Sequence, residues 1–159
     1  MPRSGVQMAV MRILALMVLG VLLGTAALSA EKIVPRAGYA IAPLPTDAAV
    51  QKGMVAIRDL VRTNHSLVTH RRMPPDHALR FAAQVKVEAD KILATTSLSG
   101  DAREKLRILL EEIITGLGAV AKPGEGSGAI DGLGRVDAAL ARYPDEFDDP
   151  TWQPLQPVE

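Results

Sequence analysis

Val50-Gln-Lys-Gly-Met54-Val-Ala-Ile57-Arg-Asp-Leu-Val61-Arg-Thr-Asn64-His-Ser-Leu-Val68 is the stretch that decides the fold. Val50, Met54, Ile57, Val61, Asn64 and Val68 recur at spacings of four, three, four, three and four. At about 100° per residue these positions fall on one face, so the stretch predicts an amphipathic helix. Thr46 or Asp47 is placed to cap it, because a side-chain oxygen there accepts an otherwise unpaired first-turn N–H. Arg71 and Arg72 suit the negative end of the helix dipole, and Pro74 forces Met73 out of the helical region.

The same period recurs three more times. Ala78, Ala82, Val85, Ala89, Ile92 and Thr96 form a second seam, with Pro75 suited to the first helical position. Asp101 and Glu104 have capping-box spacing at the start of a third helix. That helix runs on Ala102, Leu106, Leu109, Ile113, Gly116 and Val120, and is the most apolar of the set. After the loop Lys122-Pro-Gly-Glu-Gly-Ser-Gly128, a shorter fourth helix is expected from about Ala129 to Tyr143, on Leu133, Val136 and Leu140. Pro144 is expected to stop it. No stretch alternates as a strand does. Four amphipathic helices with short turns predict an all-α fold, an antiparallel up-down-up-down four-helix bundle.

The flanks differ in kind. Arg12 and the apolar run from Ile13 to Leu23 precede the small residues Gly24, Thr25, Ala26, Ala27, Ser29 and Ala30. That is the layout of a secretory signal peptide over residues 1–30, cleaved after Ala27, Ser29 or Ala30, and it implies a periplasmic product. An uncleaved N-terminal membrane anchor is the alternative. Residues 31–45, with Pro35, Gly38, Pro43 and Pro45, read as an irregular lead-in, residues 46–143 as the bundle, and residues 144–159 as a proline-rich tail. Phe147, Trp152 and Leu155 make that tail a strap for the open end of the bundle or, alternatively, a partner-binding peptide.

Composition removes several functions. Segment 1–30 holds two of the chain's 18 basic residues and none of its 18 acidic ones, so the remaining 129 residues carry a formal charge of −2. Nucleic-acid binders are strongly basic, and the five aromatic side chains make a poor stacking platform. The chain has no cysteine. Disulfides, thiolate nucleophiles, a lipoprotein anchor and Cys-x-x-Cys-His haem attachment are thereby excluded. A b-type haem would need a methionine and a histidine on different helices facing one cavity. Met54 lies on the first seam, but the fourth helix has no histidine. No Gly-x-Ser-x-Gly or phosphate-binding Gly-x-x-x-x-Gly-Lys-Ser/Thr motif is present.

The residues that carry chemistry gather at one end of the bundle. All three histidines lie within thirteen residues, and His65, His70, Met73 and His77 have the imidazole and thioether groups that copper favours. Spacing counts against a shared site. Relative to Val61, His65 lies about 40° away and His70 about 180° away, towards solvent. The competing reading is one half-buried histidine and two at the surface. Arg71, Arg72 and Arg80 surround the group as an anion- or partner-binding candidate, or as ordinary surface cations. Asn64 on the apolar seam reads as a register-fixing amide, or as a ligand contact beside His65.

Two short patterns bracket the chain: Gly53-Met54-x-x-Ile57-Arg58 and Tyr143-x-x-x-Phe147-Asp148-x-Pro150-x-Trp152. Together they resemble small exported helical proteins of proteobacteria encoded in some genomes near denitrification or cytochrome genes. The resemblance implies a periplasmic location and an accessory role, and it supplies no catalytic residue. The function expected from the sequence is a non-enzymatic binding or accessory protein whose periplasmic partner or small ligand is unknown. The alternative is a copper or other metal carrier.

Overall fold

In the computed structural model, the described residues are 42–122 and 127–156. The signal-peptide reading of residues 1–30 lies outside them. The described chain is four helices, α1 (Ala48–Thr69), α2 (Pro75–Thr95), α3 (Gly100–Val120) and α4 (Ser127–Glu146), flanked by two-residue strands β1 (Leu44–Pro45) and β2 (Phe147–Asp148). Each helix packs on the next, and α4 returns to α1. None of the described helices is long and apolar enough to cross a membrane.

The heptad seams form the core. Val50, Met54, Ile57 and Val61 are fully buried, as are Leu106, Leu110, Ile113 and Val136. On α2 the seam shifts, with Phe81 buried where Ala82 is only half-buried. Ile108, which adds to the apolar count of α3, points outwards.

Glycine allows a close approach between α3 and α4. A methyl group at Gly116 would stand 2.7 Å from the Gly132 carbonyl oxygen, and one at Gly132 would run into the Gly116 carbonyl in turn. The α3 and α4 backbones therefore touch, which no other residue pair permits. Gly53 makes a lesser version of this contact, with the Ile92 side chain occupying its Cβ position.

Four local expectations need correction. Asp101 is not the cap of α3. Ser99 holds that position, Gly100 takes φ +56° as the first helical residue, and Glu104 binds Arg107 instead of closing a capping box. Pro144 does not stop α4, which continues to Glu146. Tyr143 and Phe147 explain this: one turn apart, both buried, with ring centroids 5.4 Å apart, they hold the chain to the helical path across the missing N–H. The helix also starts earlier than Ala129, at Ser127. Lastly, the lead-in and the tail meet in a parallel pairing, Leu44 with Phe147 and Pro45 with Asp148.

Asp47 joins the start of α1 to the turn between α2 and α3. Its carboxylate accepts from the Val50 N–H at 2.9 Å, the Thr96 hydroxyl at 2.9 Å, and the Ser97 N–H and hydroxyl at 2.6 and 2.9 Å. Partial burial alone would raise the pKa of Asp47, but these bonds outweigh it and lower the value from 3.8 to about 2. A folded-state pKa below the unfolded one contributes stability at higher pH, which is lost as pH falls through the folded value.

Two outcomes follow. Gly134, unlike Gly132, has open space at its Cβ position. Gly134→Ala should raise the thermal midpoint, being worth roughly 0.5–1 kcal/mol, whereas Gly132→Ala should destabilise the fold. Chemical denaturation between about pH 4 and 2 should show a steeper loss of stability for the parent than for Asp47→Asn, because only the parent has this carboxylate to protonate.

Candidate functional site

An open cleft of about 570 Å³ lies between α1 and α2. Leu60, Leu67 and Phe81 form its apolar wall, and Asp59, Thr63, Asn64, His77, Arg80 and Gln84 supply polar groups. Both walls follow from helical spacing. Ala56, Leu60, Thr63 and Leu67 form a second 4-3-4 row on α1, turned about 100° from the buried seam. His77, Phe81 and Gln84 face them from α2.

The end of the cleft is held by one polar pair. Asn64, only 6% exposed, donates from Nδ2 to the Leu60 carbonyl at 2.8 Å. That bond orients the amide, so its Oδ1 faces His77 Nε2 at 2.7 Å. An amide oxygen only accepts, so the proton sits on Nε2, and the bond ties the first turn of α2 to the last turns of α1. Asn64 was readable from the seam as a register device. Its partner was not, because His77 lies thirteen positions away on another helix.

The other histidines go elsewhere. His65 Nε2 donates to Asp137 Oδ2 at 3.0 Å, joining α1 to α4. His70 is exposed and turns its Nδ1 back to the Ser66 carbonyl, 2.8 Å away. Met73 packs, half-buried, against the core. Each imidazole thus has its own protein partner, and among the described residues no group of three or more His, Asp or Glu side chains is arranged to hold a metal ion.

The arginines also separate. Arg80 lines the main cleft, while Arg71 lines a smaller one of about 230 Å³ with Leu67, Met73, Val120 and Lys122. Arg72 is exposed and lines neither. Arg71 has φ +54°, and its N–H bonds the Val68 carbonyl while that of Arg72 bonds the Leu67 carbonyl. This is the helix-terminating geometry that normally takes glycine.

Arg58, which sequence reading did not single out as a site, organises the opposite end. It is 8% exposed, donates from Nη1 to the Gln153 carbonyl at 2.9 Å, and lies 5.5 Å from the centre of the Trp152 ring. Its Nη2 also donates to Asp59 Oδ1 at 2.9 Å, so the residue that anchors the tail also orients a carboxylate of the cleft. Tyr143 completes the group, its hydroxyl donating to Asp149 Oδ2 at 2.9 Å and its ring 4.7 Å from Trp152. Burial first, then the Asp149 carboxylate, keeps that phenol protonated.

No family model matches the chain, and neither the curated proteins nor the solved structures compared with it give a match.

His77→Ala tests the cleft bridge. It leaves the Asn64 oxygen without its partner and should cost about 1–3 kcal/mol in urea denaturation. His70→Ala, whose ring faces solvent, should change stability by no more than about 0.5 kcal/mol.

Proposed function

We propose that this chain is an exported, non-catalytic helical-bundle protein that holds a ligand or partner in the α1–α2 cleft. The observation that carries the reading is the cleft, a space of about 570 Å³ with an apolar wall and a few convergent polar groups. Sites for small molecules have this size and character. The polar groups of the cleft support holding over reacting: Asn64 and His77 are bonded to each other, and Asp59 is paired with Arg58 and Arg62. Export rests on the basic, apolar and small-residue layout of residues 12–30.

The finer architecture belongs to the same proposal. The four helices alternate in direction as an up-down-up-down bundle, a reading supported by turns of only a few residues between successive packed helices. Residues 147–155 act as a strap over one end. Phe147 is buried, Trp152 and Leu155 pack against the core, and the Thr46 hydroxyl donates to the Asp148 carbonyl at 2.8 Å.

Native mass spectrometry of protein released from its own cell envelope, without refolding, tests the function. A bound species is expected on the parent and not on Thr63→Trp, which fills the cleft from an exposed position. The same species on both, or on neither, contradicts the cleft as the site. Peptide mapping of the same material should find an N-terminus at residue 28, 30 or 31. Recovery in membranes with residues 1–27 intact contradicts export as a cleaved product.

A further inference from the structure

Arg71 stands where a glycine would be free of strain. It follows the end of α1 with φ +54°, and it is the non-glycine residue with positive φ among the described residues. Its N–H bonds the Val68 carbonyl and that of Arg72 the Leu67 carbonyl, the paired helix closure that glycine makes most readily. Backbone strain of this kind collects at ligand clamps, so what the side chain reaches matters.

It reaches the mouth of a cavity of about 230 Å³ at one end of the bundle. The last turns of α1 and α3 and the first turns of α2 and α4 enclose this space. Val68, Ala78 and Val120 are its buried floor, and Met73 and Ala129 extend the apolar wall. Lys122 also lines it and is exposed, as Arg71 is. Neither cation makes an ion pair with a described residue, and none of the lining residues is acidic. Two helices end here and two begin, so their dipoles largely offset each other. The charge of the mouth is therefore that of the two side chains.

Size and charge together define a ligand. An apolar cavity of about 150 Å³ admits benzene, so this one has room for roughly eight carbon-sized groups. The Arg71 guanidinium matches a carboxylate through two parallel N–H donors, and the Lys122 ammonium adds a point charge. Charge beside an apolar wall is costly to desolvate, which favours the single charge of a carboxylate over the two of a phosphate. We propose that the cavity binds a small amphiphilic carboxylate, its apolar body on Val68, Ala78 and Val120 and its head between Arg71 and Lys122. The site is separate from the α1–α2 cleft, with which it shares only Leu67.

Calorimetric titration of octanoate into the purified full chain, with thermal melts of each variant, tests this. Octanoate should bind one-to-one with a Kd of about 1 mM or tighter, and 1-octanol, the same chain without the charge, about tenfold more weakly. Arg71→Gly should raise the thermal midpoint by removing the strain, yet weaken octanoate by about tenfold or more. Lys122→Gln should weaken octanoate several-fold and leave the midpoint unchanged. Thr63→Trp, which fills the cleft, should bind octanoate as the parent does. A parent that does not bind octanoate overturns the proposal, as does octanol binding equally well or Arg71→Gly binding undiminished. Loss of octanoate binding in Thr63→Trp also overturns it, by moving the carboxylate into the cleft, so the two sites fail separately.

Discussion

The backbone contact between Gly116 and Gly132 is the constraint on which the arrangement of this protein turns. It brings the α3 and α4 backbones together at that level, with no room for a side chain between them. The other half is built differently. Its α1 and α2 are drawn together at Gly53 and Ile92, but towards the opposite end they are bridged by Asn64 and His77. A polar bridge is longer than a glycine contact. The space left under it, walled by Leu60, Leu67 and Phe81, is the cleft.

Two further interactions bind the ends of the chain to this frame. The Asp47 carboxylate ties the start of α1 to the α2–α3 turn through four hydrogen bonds. Arg58 and Tyr143 bring Trp152 and Gln153 onto α1, and Asp149 fixes the turn between them by accepting from the Tyr143 hydroxyl and the Thr151 N–H. Arg58 is the link between architecture and site, since the same guanidinium anchors the tail and pairs with Asp59 in the cleft.

What was legible in the sequence was whatever repeats locally. Val50, Met54, Ile57 and Val61, or Leu106, Leu109 and Ile113, advertise a buried face by spacing alone, and all are at most 1% exposed. Asn64 stood out as the polar member of such a row. Features that depend on residues far apart left no periodic trace. Leu44 pairs with Phe147 over two residues only, too short for alternation to register. Pro144 read as a stop because its missing N–H is a local fact, while the anchoring of Tyr143 and Phe147 that overrides it is a tertiary one. The histidines read as one group because they are close in sequence. In space His65 turns to α4, His77 to α1 and His70 to its own helix end.

The central claim is that the α1–α2 cleft is a binding site. Hydrogen exchange tests it most directly, comparing protein isolated in its native state from the cells that make it with the same protein unfolded, dialysed and refolded. The account predicts faster exchange after refolding, confined to residues 56–67 and 77–84, which carry the cleft walls. Identical exchange in the two preparations, or a change spread evenly over α3 and α4, would contradict it.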